Sequence, residues 1–416
     1  MINVNDYLCE TDSETFEKAL ANKQGDGIII IPPRMSETEP ERDYWLIDRA
    51  ILLPENTTVI MQNSTIKLSD KCRDNFFRTA NCGMGISFPE KISNVHIRGE
   101  GKCILLGADK PRAVGDSSKL LKNPCPHFPE DVCAMADYLP AEKRTLETLD
   151  FDDIHYYSYG TDAGKEGESQ YGDWRGIGIL FANTENFSVE NIQIIDSHGW
   201  GISLEACSFG HIRKIHFDAH MYKLIDGVYN NMENQDGIDV RNGCHDIIIS
   251  DITGVTGDDV VALTAIANDC NTPGGSTNST HVMPDDWTIR DRNIYNITIK
   301  NVTASSYLCL IVRIYPINSK IWNVVVDGIQ DNTPADKTHW ATIALGGDGY
   351  GGKSGELSGI IISNVICNAN EGICVSGTVH NSVISNVINM RKDTPLLKIE
   401  GDAELINVKT ENLVQV

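Results

Sequence analysis

Three aspartates in this chain, Asp236, Asp258 and Asp259, have the type and spacing for acid–base chemistry. They lie in the segments 234–239 (NQDGID) and 256–263 (TGDDVVAL), each beside a stretch that reads as a buried β-strand. Carboxylates held close together on rigid backbone repel one another and shift each other's pKa values. A protein rarely keeps such a costly cluster for stability alone. The pattern therefore favours hydrolysis of a glycosidic bond, which needs paired carboxyl groups that donate and accept protons.

A repeated pattern predicts the elements that position these aspartates. Alternating apolar residues, interrupted by Asn or Asp, recur in the segments 187–194, 247–254, 297–304, 324–330, 360–367 and 382–389, with a weaker copy at 91–99. The clearest spacings are 26 residues from Asn301 to Asp327 and 22 from Asn364 to Asn386. Such a period is typical of a solenoid, and it is too short for strand–helix–strand units. Hairpin turns of the NG or DG type do not separate every strand pair, which disfavours the alternative, an antiparallel sandwich.

We therefore predict an all-β fold, a single-stranded parallel β-helix over residues 1–416 as one domain. Residues 1–50 form an N-terminal cap and first coil, with a short helix over 16–21 capped by Thr11 or Ser13 and a strand within 25–33. Residues of about 107–174 interrupt the repeats as a long insertion, and 175–410 form the main coils. Aromatic residues of the insertion, Tyr156, Tyr157 and Trp174, either stack on a sugar or serve the structure.

The solenoid places the acidic residues close together. Asp236 and Asp259 are 23 residues apart, so we expect them on successive coils with backbones about one strand spacing apart. Asp258 and Asp259 would face opposite ways along a strand, and Gly257 permits the bend that brings both to one site. Two other interpretations stay open. Asp239 is a candidate for a turn-capping role, as Asp251 and Asp327 are, and clustered carboxylates also bind calcium.

Composition limits the partners. The formal net charge is −23 over 416 residues, which argues against nucleic acid and anionic membranes and favours a short or neutral glycan over a polyanion. The chain shows no apolar run of about 18 residues and no secretion signal. The 12 cysteines lack metal-ligand spacing, so we predict no metal or cofactor, reduced thiols and a cytoplasmic location. The oligomeric state is left open.

Residues from about 174 to 326 resemble the polygalacturonases, family 28 of the glycoside hydrolases, which have the right-handed parallel β-helix of pectin-lyase-like proteins. The family motif Asn-Thr-Asp-Gly is matched at three of four positions by NQDG (234–237), and its Asp-Asp motif by Asp258 and Asp259. Arg313-Ile314-Tyr315 stands where the family has Arg-Ile-Lys. The resemblance implies an inverting enzyme with Asp259 as the general acid, Asp236 and Asp258 holding and deprotonating water, and Arg313 binding substrate.

Two departures from the family bear on the substrate. The Gly-His-Gly motif is missing, and His281, near the expected distance, is the candidate for its histidine. Tyr315 replaces a lysine that in the family helps bind the uronate carboxylate, which favours a different sugar. Four further polar residues on neighbouring coils are candidates for lining a subsite: His198, His216, His220 and Arg241.

The predicted function is therefore a glycoside hydrolase, inverting and exo-acting on short oligosaccharides, with the insertion closing one end of its groove. Two alternatives remain: a calcium-dependent polysaccharide lyase that uses a basic residue such as Arg313 or Arg241, and a non-catalytic glycan-binding solenoid.

Overall fold

The computed structural model describes residues 1–23, 27–70, 72, 74–83, 86, 88–109, 173–220, 222–225, 228–231, 235–266, 280–283, 292–334, 337, 339–349 and 351–416. The predicted insertion of about 107–174, with Tyr156 and Tyr157, lies almost wholly outside these residues. Most of residues 269–292 also lies outside the described part of the chain. Among the described residues, no helix is long and apolar enough to cross a membrane.

Strands dominate the described residues. In chain order they are β1 (Ile2–Asn3), β2 (Ile28–Ile31), β3 (Trp45–Ile47), β4 (Ile51–Leu53), β5 (Thr57–Gln62), β6 (Thr65–Leu68), β7 (Phe77–Thr79), β8 (Ile92–Glu100), β9 (Ile104–Leu106), β10 (Ile179–Ala182), β11 (Thr184–Ile195), β12 (Ile202–Glu205), β13 (Ser208–Asp218), β14 (Tyr222–Ile225), β15 (Val228–Asn231), β16 (Ile238–Arg241), β17 (His245–Thr256), β18 (Val261–Ile266), β19 (Ile294–Ser306), β20 (Leu310–Ile317), β21 (Lys320–Asp331), β22 (Ala341–Leu345), β23 (Glu356–Cys367), β24 (Glu371–Val375), β25 (Val379–Asn389), β26 (Leu397–Ile399) and β27 (Leu405–Gln415). The helical elements are 3₁₀ turns at Val4–Tyr7 and Asp173–Gly176 and one α-helix, α1 (Asp12–Ala21).

These strands stack into two parallel sheets. The longer sheet runs β1-β2-β5-β8-β11-β13-β17-β19-β21-β23-β25-β27, with β3, β6 and β9 beside it. The second sheet runs β4-β7-β10-β12-β16-β18-β20-β22-β24-β26. Within both sheets every paired strand is parallel, and the one described antiparallel pair of strands is the hairpin β14–β15. The chain is thus a parallel β-helix, and the sandwich alternative is wrong.

The N-terminal cap is helical, as predicted, but α1 begins at Asp12 and not at Phe16. Thr11 is its N-cap: the Thr11 hydroxyl accepts a hydrogen bond from the Glu14 amide, and the Glu14 carboxylate accepts one from the Thr11 amide, each over 3.2 Å. Phe16 packs edge-on against Trp45, with 5.2 Å between ring centroids. The helix therefore covers the apolar end of the coil stack.

Asparagines occupy the corners of the coils, as the sequence predicts. Asn191, Asn301, Asn364 and Asn386 all adopt left-handed backbone, with φ between 54° and 57°. The side chains of Asn364 and Asn386 form a ladder in which each amide donates to the coil before it, to Asp327 over 2.7 Å and to Asn364 over 3.2 Å. Asp251 and Asp327, predicted to cap turns, instead belong to this ladder, because each carboxylate accepts a hydrogen bond from a side-chain amide of the next coil.

The register explains the two long gaps in the repeat. Lys214 takes the left-handed corner between Asn191 and Asp251, so that 60-residue gap is two coils. The 50-residue gap from Asp251 to Asn301 is one coil with extra residues, because β17 pairs directly with β19.

Replacing Asn364 with alanine should lower the free energy of unfolding by about 2 kcal/mol. Alanine lacks the short polar side chain that lets asparagine tolerate φ 57°, and the variant also removes both ladder hydrogen bonds. Asn364→Gly is the matched control, because glycine adopts this φ without strain and should recover about 1 kcal/mol. Chemical denaturation checks both; an alanine variant as stable as wild type would contradict the ladder's contribution.

Candidate active site

The outer face of the second sheet carries an unusual set of side chains. Strand alternation turns Ile238 and Val240 of β16 into the core and leaves Asp239 and Arg241 facing out. The register then forms two rows across three coils. One row is Asp239, Ala262 and Arg313, and the other is Arg241, Thr264 and Tyr315. The small side chains in the middle coil leave a depression between the charged ones. Asp239, a candidate turn cap by sequence, in fact lies inside a strand.

The three predicted aspartates lie on turns that lead into these strands. Asp236 precedes β16, and Asp258 and Asp259 precede β18. The amide of Gly237 donates to the Asp259 carbonyl over 2.8 Å, so Asp236 and Asp259 occupy neighbouring coils about one strand spacing apart, as predicted. Glycine at position 257 allows two neighbouring coils to approach closely. Its φ is not left-handed, and a Cβ there would lie 3.0 Å from the Gln235 Cβ.

Side chains from both features line one cleft of about 260 Å³. Its lining includes Trp200, Asp236, Asp239, Arg241, Asp258, Asp259, Thr264, Cys309, Arg313 and Tyr315. Six of the ten residues considered for the site from sequence thus meet here. The other four, His281, His198, His216 and His220, do not line the cleft.

Arg313 is fixed against Asp259. Its Nε donates to the Asp259 carboxylate in a short ion pair, and its Nη2 contacts both the second carboxylate oxygen at 3.4 Å and the Cys309 Sγ at 2.9 Å. The guanidinium lies over the Tyr315 ring, 5.4 Å from the centroid. Burial opposes the charge on Arg313, but the neighbouring charges, that of Asp259 first, together raise the arginine pKa well above its usual value.

The other three aspartates of the cleft have different surroundings. Burial, reinforced by the charge of Asp259, raises the pKa of Asp258 to about 6. Burial also raises the pKa of Asp236 well above its usual range, with Asp239 and Asp258 adding repulsion. For Asp239 burial again raises the pKa, and Arg241 partly offsets it. The cleft thus combines a carboxylate that pairs with an arginine and carboxyl groups whose pKa values are raised, and acid–base catalysis uses carboxyl groups in such different environments.

A buried hydrogen-bond network positions Arg241 on its side away from the cleft. The Nδ1 of His281 lies 2.7 Å from the carboxylate of Glu205, and its Nε2 lies 2.7 Å from a terminal nitrogen of Arg241. Burial, and then the charge of Arg241, lower the pKa of His281. The neutral ring therefore donates from Nδ1 and accepts at Nε2. His281 positions Arg241 and does not itself face the cleft.

Two residues of this region escape sequence reasoning. Glu205 is 1% exposed, and a carboxylate at the end of the apolar strand 202–205 was the available signal. Cys309 follows the acids on the next coil, but nothing in its sequence surroundings marks it.

The predicted histidines lie elsewhere. His198 is 1% exposed, and its Nε2 accepts a hydrogen bond from the Ala108 amide over 3.0 Å. His216 contacts the Thr253 hydroxyl at 2.9 Å on the longer sheet. His220 contacts the Asp196 carboxylate, also at 2.9 Å. None of the three lines the cleft, so the structure gives them no part in it.

One set of potential metal ligands lies in the cleft: one atom each from Asp258, Asp259 and Cys309, all within 4.8 Å of one another. Calcium takes six to eight oxygen ligands. This set offers a thiol among its three donors, and the Arg313 guanidinium already pairs with Asp259. The residues do not suit calcium.

Comparisons with known proteins address the fold. No protein-family model matches the sequence, and no curated protein matches it significantly. Two solved structures are similar, each with a TM-score of 0.55. The exopolygalacturonase of Thermotoga maritima is 16% identical, and the match covers 100% of this chain and 91% of that one. The endo-xylogalacturonan hydrolase of Aspergillus tubingensis is 11% identical, with 97% and 89% covered.

A tailspike protein of E. coli bacteriophage HK620, in complex with a pentasaccharide, is also similar, at 13% identity and a TM-score of 0.50. That match covers 97% of this chain and 66% of the tailspike. At these identities the likeness concerns architecture. The predicted fold class is confirmed. The chain is a right-handed parallel β-helix.

Proposed function

We propose that this protein is a glycoside hydrolase that cleaves short oligosaccharides with inversion. The observation that carries the proposal is the placement of Asp236, Asp258 and Asp259 on neighbouring coils of one cleft, in environments that separate their protonation states. The similarity in fold to an exopolygalacturonase and to an endo-xylogalacturonan hydrolase supports the reaction class. Exo action remains a prediction, because the insertion that would close the groove lies outside the described residues.

The environments of the acids favour a different division of roles from the one implied by sequence resemblance. Asp259 was expected to be the general acid, but its carboxylate is already engaged by the Arg313 guanidinium, whereas that of Asp258 is not. Asp258 holds its proton to a pH of about 6, which suits a donor to the leaving oxygen. We therefore propose Asp258 as the general acid and Asp259, assisted by Asp236, as the group that holds and deprotonates water.

In this mechanism Asp258 gives its proton to the glycosidic oxygen as the bond from that oxygen to the anomeric carbon breaks. Water attacks the anomeric carbon from the opposite face, and Asp259 takes the proton that the water loses. The products are two sugars with a new hydroxyl of inverted configuration, and the two carboxyl groups have exchanged protonation states. Proton exchange with solvent restores them.

Activity should fall as the pH rises above about 6. The general acid must be protonated to act, and deprotonation of Asp258 removes it, so kcat/KM should drop about tenfold per pH unit above that value. A reducing-sugar assay of a panel of plant and microbial oligosaccharides, followed by a pH profile on those hydrolysed, tests this. Binding of an oligosaccharide without hydrolysis at any pH would contradict the proposal and favour a glycan-binding solenoid.

The calcium-dependent lyase is disfavoured because the clustered donors of the cleft are two carboxylates and a thiol, and one of those carboxylates already pairs with Arg313. Hydrolysis that is insensitive to EDTA, with products that do not absorb as unsaturated uronates, is the expected result.

A further inference from the structure

The cleft carries more acidic groups than basic ones. Its acidic groups are Asp236, Asp239, Asp258 and Asp259, with Glu205 directly behind. Its basic groups are Arg241 and Arg313. Each guanidinium already serves a protein partner: Arg313 pairs with Asp259, while Arg241 donates to the Thr280 carbonyl over 2.9 Å and contacts His281. Neither guanidinium is therefore left to pair with a carboxylate that a ligand brings.

The cleft also contains carboxylate oxygens that could accept a hydrogen bond from a ligand. The Oδ1 of Asp236 and the Oδ2 of Asp239 are buried and have no hydrogen-bond partner among the described residues. Their residues are 8% and 2% exposed. Buried polar atoms left unpaired are costly, and in a binding site they are normally satisfied by the ligand.

The chemistry of these atoms discriminates between ligands. A sugar hydroxyl donates to a carboxylate and accepts from a protonated carboxyl group, so it satisfies Asp236 and Asp239 in either form. A sugar carboxylate only accepts, and it adds a charge of the same sign as the ionised acids. Tyr315 offers no cation to offset that charge, and its hydroxyl donates to the Asp348 carbonyl over 3.0 Å.

We infer that the sugar bound at this cleft is uncharged, and that Asp239 selects it by accepting hydrogen bonds from its hydroxyl groups. This inference rests on the proposed hydrolase function and assigns its substrate class. Asp239 lies two residues from Arg241 on the same strand face, so a carboxylate and a guanidinium stand side by side at the cleft. Together they match the donor and acceptor of a sugar diol.

The test uses pairs of oligosaccharides that differ only at C6. An oligosaccharide that the enzyme hydrolyses is compared with its partner, made by oxidising the C6 alcohol to a carboxylate or by reducing the carboxylate to an alcohol. The neutral member should have the higher kcat/KM by about a hundredfold, the size expected for one like-charge contact at about 6 Å. Equal or better turnover of the acidic member overturns the inference and leaves the hydrolase proposal intact. No hydrolysis of any oligosaccharide overturns both.

Substitutions at Asp239 test whether this residue causes the preference for the neutral sugar. Asp239→Ala should raise KM for the neutral member by about tenfold or more, with a smaller change in kcat, because an acceptor for the substrate is lost. Asp239→Asn keeps one acceptor and stays neutral at every pH, so it should narrow the preference between the two members at high pH, where the wild-type carboxyl group ionises. Asp251→Asn, which removes a charge on the longer sheet, is the control and should change neither. An unchanged preference in Asp239→Asn would overturn the role of Asp239.

Discussion

Replacing Asp258 with asparagine is expected to lower kcat on oligosaccharides by about 10² to 10⁴-fold. The amide cannot donate the proton that the leaving oxygen requires, and general acid catalysis contributes a factor of this size. The side chain keeps its shape, so KM should change little. Initial rates by reducing-sugar assay measure the effect, and Asp327→Asn, at a coil corner outside the cleft, is the matched control.

The same substitution should stabilise the fold at high pH. The folded pKa of Asp258, about 6, is raised above the ordinary value of 3.8, so the folded state binds this proton more tightly than the unfolded chain. The resulting stability is fully present below about pH 3.8 and is lost as the pH rises through about 6. Asparagine does not titrate and escapes this loss. Because Asp258 is half-buried and partly screened by solvent, we expect a gain of about 2 kcal/mol at pH 8 relative to pH 4.

Loss of activity together with a gain in stability is the result expected for a group that acts in catalysis and does not stabilise the fold. Loss of both activity and stability on Asp258→Asn would instead indicate a structural carboxylate and would contradict the assignment.

Replacing Arg313 with methionine should damage both stability and activity. The change leaves Asp259 without its charge partner in a cluster of acids, and breaking a largely buried pair costs about 3 kcal/mol at pH 8. Protonation of the cluster relieves the repulsion, so the loss should be smaller at pH 5. Arg313 also lowers the pKa values of Asp236 and Asp258 in the intact protein. Without it, the pH above which residual activity falls should move upward.

Two variants make the Arg313 result specific. Arg213→Met breaks a surface pair with Glu190 in which the arginine side chain is 51% exposed, and it should cost less than 1 kcal/mol. Arg313→Lys keeps the charge but not the planar fork, so it should recover part of the stability. Denaturation curves at pH 5 and pH 8 measure all three. Equal stability losses for Arg313→Met at both pH values would show that charge repulsion is not the cause.

The coil architecture and the meeting of the acids were predictable from sequence because they depend on short-range rules. Left-handed corners favour asparagine, β-branched residues favour strands, and a spacing of 23 residues between Asp236 and Asp259 equals one coil. The repeated sequence pattern does not include the coil that contains β13. Lys214 occupies the left-handed corner of that coil, and the pattern was based on Asn and Asp.

The protonation states were not predictable because they depend on side chains distant in the chain. Asp259 and Arg313 are 54 positions apart, and Glu205 and His281 are 76 apart. Sequence spacing places Asp258 and Asp259 at one turn but does not say which of them meets the arginine. The position of Asp239 within β16 was also not predictable. The segment NQDGID is compatible with a turn alone and equally with a turn followed by a strand.

The most direct test of the account compares two substrates that differ in their need for a proton. An aryl glycoside with a dinitrophenyl leaving group departs without protonation, whereas an oligosaccharide of the same sugar requires it. The account predicts that Asp258→Asn loses oligosaccharide hydrolysis and keeps most of its aryl glycoside hydrolysis, while Asp259→Asn loses both. Retention of aryl glycoside hydrolysis by Asp259→Asn and its loss in Asp258→Asn would contradict the assignment of the acid and the base.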